Sequence, residues 1–121
     1  MGSHRLIYFR TDGNSQIATG HLMRCLSIAQ ACQVLSLPVC FLVSDEDSAS
    51  LLKQFDPAGT FPVRILSSAV YNDMEKELPE LLSLLSKAPS LLFVDSYFVT
   101  EPYLQAVSGI CPVAYMDDLQ L

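Results

Sequence analysis

The chain has 121 residues, the length of one domain, and 50% of them are hydrophobic while 17% are charged. This composition excludes a disordered protein, which would carry fewer apolar and more charged residues. Thirteen acidic residues against seven basic ones give a net charge of −6, so nucleic-acid binding, which needs a basic stripe, is not expected.

The first half of the chain alternates short apolar runs with amphipathic stretches, which predicts alternating strands and helices. Residues 6–9 are the first predicted strand, and a polar loop over residues 11–16 leads to a helix with Thr19 as its N-cap. Residues 39–43 predict the second strand. Residues 44–47, three of them acidic, begin a short helix, where negative charge suits the helix dipole.

The second half continues the alternation. Further strands are predicted over residues 63–66, 91–94 and 113–116. Asn72 and Glu75 resemble a capping box at the start of the third helix. Its apolar face is expected to comprise Met74, Leu78, Leu81, Leu82 and Leu85. Thr100 is the predicted N-cap of the last helix and Gly109 its C-terminal glycine.

This order of elements predicts an α/β fold. Strands that are apolar on both sides, alternating with helices, are typical of a parallel sheet covered on both faces. We therefore expect a sheet of about five parallel strands with helices on both faces. Residues 25–44 carry no charge, but Gln30, Gln33 and Pro38 interrupt them and their periodicity changes partway, so no membrane span is expected.

The cysteines and histidines do not predict a metal site. These six residues are Cys25, Cys32, Cys40, Cys111, His4 and His21. No pair of cysteines forms a CxxC and neither histidine has ligand-like spacing to them. Apolar neighbours favour free, buried thiols in a reducing compartment, and the first twenty residues lack the pattern of a signal peptide. We expect a cytoplasmic protein.

Acidic residues follow four of the five predicted strands, at the edge of a parallel sheet where ligands bind. They are Asp12, Asp45, Asp95 and the pair Asp117 and Asp118. Asp45 and Asp47 also form a D-x-D pattern, which some metal-dependent glycosyltransferases use. Helix capping is the favoured interpretation for those two residues, whereas a functional role and simple turn chemistry are about equally supported for the others.

The loop after the first strand is the most informative segment. It has neither the GxGxxG fingerprint of dinucleotide sites nor a P-loop. Gly20 and His21 begin the following helix, where free backbone N–H groups attract an anion and a second positive charge is disfavoured. His21 is therefore a candidate general base for activating water. The alternative is that His21 only caps the helix or packs against the loop.

Three blocks of sequence resemble one family. Residues 9–31 are similar to a signature of roughly F-R-x-D, then G-x-G-H-x-x-R and a small-residue helix. Residues 93–97 and 116–119 continue the similarity. This signature belongs to the nucleotide-sugar hydrolases of pseudaminic acid synthesis and the related spore-coat polysaccharide biosynthesis proteins. Ala18 stands where the first glycine of G-x-G-H is expected, and its added methyl group is expected to restrict the loop or its approach to phosphate.

The resemblance implies the N-terminal Rossmann-like domain, residues 1–121, of a two-domain enzyme of the glycosyltransferase B architecture, whose C-terminal nucleotide-binding domain is not in this chain. The implied reaction hydrolyses a UDP-linked 2,4-diacetamido-2,4,6-trideoxy sugar to UDP and free sugar, with no metal or cofactor. By the same resemblance His21 is the catalytic base. Gly20 belongs to the loop near the diphosphate, Thr19 binds the substrate, and Tyr97 lies beside Asp95 on the sugar-facing rim. Asp12 and Asp95 are expected to orient the loop and the sugar hydroxyls.

Two alternatives stay open beside this interpretation. One is a glycosyltransferase of polysaccharide biosynthesis on the same fold. The other is a non-enzymatic receiver-like signalling domain, which has the same size and the same alternation of elements. A receiver would have paired acids after the first strand, a phosphoacceptor aspartate after the third and a lysine after the fifth. This chain has a single Asp12, Ser67 with Ser68, and Asp117 with Asp118.

Overall fold

The computed structural model describes residues 5–13, 20–96 and 98–116. The strands are β1 (Leu6–Thr11), β2 (Val39–Val43), β3 (Val63–Ile65), β4 (Ser90–Asp95) and β5 (Val113–Tyr115). The helices are α1 (Gly20–Val34), α2 (Glu46–Phe55), α3 (Leu78–Leu85) and α4 (Glu101–Ser108), and a 3₁₀ turn, Met74–Glu77, leads into α3. The predicted alternation of strand and helix is confirmed.

The five strands form one parallel sheet in the order β3-β2-β1-β4-β5. The chain moves outward from β1 to β3 and then returns to place β4 beside β1. The strand order therefore reverses between β1 and β4, which makes their carboxyl ends the topological switch point. This confirms the Rossmann-like α/β class. The receiver alternative is wrong, because receivers have the flavodoxin-like order 2-1-3-4-5.

Helices cover both faces of the sheet, and each face has its own apolar core. Alternate strand residues point to opposite faces, so Phe9 packs on one side and its neighbour Tyr8 on the other. The core under α1 and α2 includes Leu22, Leu26, Phe41, Val43 and Leu52. The core under α3 and α4 includes Leu42, Leu81, Leu85, Leu92 and Val107.

The third helix differs from the prediction at its start. Asn72 and Glu75 do not form a capping box, because the segment begins as a 3₁₀ turn whose N-cap is Asp73, and that residue makes no side-chain cap bond. Glu75 instead accepts a hydrogen bond from Thr100 Oγ1 at 2.8 Å. The α-helix begins only at Leu78, where Pro79 occupies the first turn and its missing N–H costs no helical bond.

The last helix and the cysteines agree with the sequence more closely. Thr100 is the N-cap of α4 and accepts a hydrogen bond from the Tyr103 N–H, and Gly109 is the C-cap. All four cysteines are free thiols, of which Cys25 and Cys111 are buried and the other two half-buried. Within the described ranges, no helix has the length and apolarity needed to cross a bilayer.

Candidate functional site

The candidate site lies at the switch point, where β1 and β4 end side by side. Thr11, the last residue of β1, is in register with Asp95, the last residue of β4. Helix α1 begins above them with Gly20 and His21. Because the N-terminus of a helix and the carboxyl ends of two central strands meet here, the fold brings Asp95 and His21 together from positions 74 residues apart in sequence.

Asp95 and His21 form a buried hydrogen-bonded pair. The bond joins His21 Nδ1 to Asp95 Oδ1, and the two residues are 4% and 0% exposed. A carboxylate can only accept hydrogen bonds, so the proton of this bond belongs to Nδ1. In the neutral imidazole the lone pair then lies on Nε2, which assigns the proton-accepting atom of the ring.

Arg24 contacts both oxygens of the same carboxylate. Its Nε lies 2.7 Å from Asp95 Oδ2 and its Nη2 lies 2.7 Å from Asp95 Oδ1. This bidentate geometry fixes the orientation of the carboxylate. Arg24 Nη2 is also 3.2 Å from His21 Nδ1. Arg24 is the arginine of the G-x-G-H-x-x-R motif and was not predicted as a site residue, although its i, i+3 spacing from His21 places both residues on one face of α1.

Cys25 lies behind the pair and is not a candidate nucleophile. Its Sγ is 3.9 Å from Asp95 Oδ2. Burial, and after it the negative charge of Asp95, raises the pKa of Cys25 to about 12. Since only the thiolate is strongly nucleophilic, the thiol stays protonated and can act here as a weak donor to Asp95.

Asp12 anchors the loop after β1 to the start of α2. Its Oδ1 accepts hydrogen bonds from the Ser44 N–H at 2.7 Å and from Ser48 Oγ at 3.3 Å. The Gly13 N–H donates to the same Ser48 hydroxyl at 3.0 Å. Asp12 Oδ2 accepts from Arg10 Nη1 at 2.8 Å. These bonds fix the direction in which the chain leaves β1 toward the site.

A buried ionic network supports Asp12 from the opposite face of the sheet. Arg10 donates from Nε and Nη2 to the two carboxylate oxygens of Glu77, each at 2.8 Å. The Tyr103 hydroxyl donates to Glu77 Oε2 at 2.6 Å. Sequence reasoning missed this network, although an arginine inside an otherwise apolar central strand indicates a buried partner.

The structure describes some of the remaining predicted site residues, and others lie outside the described ranges. Asp45 is the N-cap of α2, and its side chain accepts from the Ser48 N–H at 2.8 Å, which confirms the capping interpretation. Asp47 is exposed in the first turn of α2. A Cβ added at Gly20 would meet nothing within 4 Å, so local packing does not demand glycine there. The predicted contacts Thr19 and Tyr97 lie outside the described residues, as do Ala18, Asp117 and Asp118.

Among residues 5–13, 20–96 and 98–116, no three His, Cys, Asp or Glu side chains are grouped so that they could hold a metal ion. Comparisons of the chain with protein-family models, with curated proteins and with solved structures found no match. A function is therefore inferred from the geometry of the switch point and from the motif that carries His21.

Proposed function

We propose that this chain is the N-terminal domain of a nucleotide-sugar hydrolase in which His21 activates the attacking water. The observation that carries the proposal is the buried pair of His21 and Asp95 at the switch point, on the first turn of α1. That is where an open α/β sheet binds its ligands. The sequence signature around His21 supplies the substrate class, a UDP-linked 2,4-diacetamido-2,4,6-trideoxy sugar.

The proposed chemistry needs one base. His21 Nε2 takes a proton from water while the water oxygen forms a bond to the anomeric carbon. The bond between that carbon and the diphosphate oxygen breaks, and its electron pair leaves with UDP. Asp95 stabilises the imidazolium through Nδ1 and keeps the ring oriented. A general base of this kind contributes about 10²–10⁴-fold to the rate, and attack opposite the leaving group inverts the anomeric carbon.

The leaving group explains why a second carboxylic acid is not required. Ordinary glycosidases use a pair of carboxyl groups because their leaving alkoxide must be protonated. A nucleoside diphosphate leaves as a stable anion and needs little help from an acid. In this proposal the first turn of α1, with Gly20, faces the diphosphate, since the N-terminus of a helix favours negative charge.

In the proposal the remaining residues divide into two groups. Asp12 and Asp95 position the loop and the base, consistent with their internal hydrogen bonds. Thr19 and Tyr97 contact the substrate, as the family resemblance implies. A C-terminal domain outside this chain binds most of the nucleotide across a cleft. The enzyme then acts in the cytoplasm, in the synthesis of surface polysaccharide or nonulosonic acid.

Replacing the base tests the proposal. In a longer protein that includes the partner domain, His21→Gln should lower UDP release from the UDP-sugar by about 10²–10⁴-fold. The affinity for UDP should change by no more than a few-fold, because the ring acts on water and not on the nucleotide. The matched control is His4→Gln, which alters the only other histidine in the sequence and should leave turnover unchanged.

Two results would contradict this assignment. Turnover of the His21→Gln protein within a few-fold of the unaltered protein would remove His21 from the chemistry. Release of UDP only in the presence of a sugar or lipid acceptor would assign the protein as a glycosyltransferase, in which the same base removes the proton of an acceptor hydroxyl.

A further inference from the structure

A second charged side chain, Arg24, lies beside the His21–Asp95 pair. Asp95 Oδ1 accepts hydrogen bonds from both His21 Nδ1 and Arg24 Nη2. The two nitrogen atoms are 3.2 Å apart, and both carry hydrogen toward the same oxygen. They are therefore not bonded to each other, and the guanidinium charge of Arg24 lies directly beside the imidazole.

Without Arg24, the pair would favour a charged histidine. A carboxylate that is 0% exposed and in contact with an imidazole stabilises the imidazolium form. An imidazolium has no lone pair left on Nε2 and cannot accept a proton from water. A buried aspartate thus orients the base and, at the same time, favours the form of the ring that cannot act as a base.

Arg24 changes this balance because its guanidinium is always charged. With Arg24 present, protonation of His21 places two cations against one carboxylate. With His21 neutral, the positive charge of Arg24 and the negative charge of Asp95 cancel. The N-terminus of α1 adds partial positive charge on the same side, which also disfavours the imidazolium.

The other titratable groups of the described residues at this edge of the sheet do not alter the balance. From α1, Cys25 contributes a protonated thiol. At the end of β1, Asp12 is bound to Arg10 and to the Ser44 N–H. At the start of α2, Asp45 caps its own helix through the Ser48 N–H. Within the part of the chain that the structure describes, the charged groups at hydrogen-bond distance from the ring are Asp95 and Arg24.

We infer that Arg24 is a positioning residue that neutralises Asp95, so that Asp95 can orient His21 without converting it to an imidazolium. The inference uses the proposed function in one respect, namely that the neutral ring is the working form of the base. The charge of Arg24 sets the protonation of His21, and its two-pronged contact sets the orientation of Asp95. Lysine can supply the first but not the second.

The test is a pH titration of the histidine ring nitrogens of this chain by ¹H–¹⁵N spectroscopy, which needs no substrate. Arg24→Gln removes the charge and keeps an N–H donor, so the titration midpoint of His21 should move to higher pH by about 1 unit. Arg24→Lys keeps the charge, so its midpoint should stay within about half a unit of the original. The His21→Gln variant assigns the signal.

Two further variants make the test decisive. Arg64→Gln removes a cation from the exposed edge strand β3, and it should leave the midpoint unchanged if the effect is local and not one of net charge. If Arg24→Gln does not fold, Arg24→Met provides the same loss of charge at this side chain, which is 36% exposed. A midpoint that stays in place or moves to lower pH when the charge is removed overturns the inference.

Activity provides a second, separable readout. In the longer protein with its partner domain, the acidic limb of the pH–rate profile should move in Arg24→Gln by the same amount and in the same direction as the titration midpoint. A moved midpoint in a protein that does not hydrolyse UDP-sugars retains the role of Arg24 and refutes the proposed function. An unmoved midpoint in an active hydrolase refutes the role of Arg24 and retains the function.

Discussion

Arg10 is fully buried in the central strand of the sheet, where an unpaired charge would be very costly. Burial lowers the pKa of the guanidinium, but the negative charges of Asp12 and Glu77 more than offset it and hold the pKa above its ordinary value. Burial, followed by the charge of Glu77, likewise raises the pKa of Tyr103, so its hydroxyl remains a donor. Arg10 thus stays charged at every pH at which the protein is folded.

This network leads to a prediction of stability. Glu77→Leu should lower the free energy of unfolding by about 3–5 kcal/mol, because it removes one of the two carboxylate partners that the described residues give to the buried Arg10. Tyr103→Phe should cost about 1–3 kcal/mol, since it removes one hydrogen bond to a charged group. Unfolding in urea, followed by circular dichroism, measures both values.

The control for this prediction lies on the same 3₁₀ turn. Glu75 is exposed and bonds Thr100 Oγ1, so Glu75→Leu should cost about 1 kcal/mol or less. Equal losses for the Glu75 and Glu77 variants would show that the network does not stabilise the fold as described.

Individual residues of the site could be predicted from the sequence, whereas their contacts with distant residues could not. His21 was predicted because a histidine at the start of a helix has recognisable chemistry. The bond from His21 to Asp95 could not be deduced, because it depends on β4 lying beside β1 and not elsewhere in the sheet. Glu77 was missed for the same reason, since its partner Arg10 is 67 residues away.

Among the elements, the start of α2 gives a structural explanation of the D-x-D pattern. Asp45 has extended backbone geometry and bonds the Ser48 N–H, as an N-cap does. Asp47 is exposed in the same first turn. The D-x-D spacing therefore follows from helix initiation, in which a cap and a dipole-facing acid lie two residues apart.

Asp45→Ala should lower the free energy of unfolding by about 1 kcal/mol, because the cap bond is lost. Asp47→Ala, the matched control, should cost no more than about 0.5 kcal/mol, since only an exposed interaction with the helix dipole changes. Thermal unfolding with and without millimolar Mn²⁺ measures both effects. A Mn²⁺-dependent rise in melting temperature that either substitution abolishes would contradict the capping assignment and favour a metal site.

Element boundaries were predictable where the pattern is local. Strand β2 has the predicted limits because five consecutive apolar residues follow Pro38. Strand β4 is longer than predicted and includes Ser90 and Asp95, since pairing with β1 extends beyond the apolar run. The 3₁₀ turn before α3 was not predicted from the sequence. This turn places Glu77 against Arg10, and a contact between such distant residues leaves no periodic pattern in the sequence.

In the whole molecule, the order of the strands in the sheet determines the fold and the position of the site, which the number of strands alone does not. Alternating elements are compatible with a receiver and with a Rossmann-like domain, and the position of β1 between β2 and β4 separates the two folds. That position also creates the switch point at which Asp95, Arg24 and His21 meet. The fold class was therefore predictable from the sequence, whereas the connectivity on which the site depends was not.

The division of labour between this chain and a partner domain gives the last prediction. At the switch point, Asp12 and Asp95 are both engaged in internal hydrogen bonds, and Arg24 is bound to Asp95. In the proposed function these charges orient a base, so we expect them to contribute little direct affinity for a nucleotide. Calorimetric titration of UDP into this chain should therefore give a dissociation constant of about 1 mM or weaker. A longer protein with the proposed second domain should bind UDP at least about tenfold more tightly, since in the proposal that domain supplies the nucleotide contacts. Uridine is the control for the diphosphate, and it should bind neither form measurably. Micromolar binding of UDP by this chain alone would place the nucleotide site at the switch point itself and refute the proposed division.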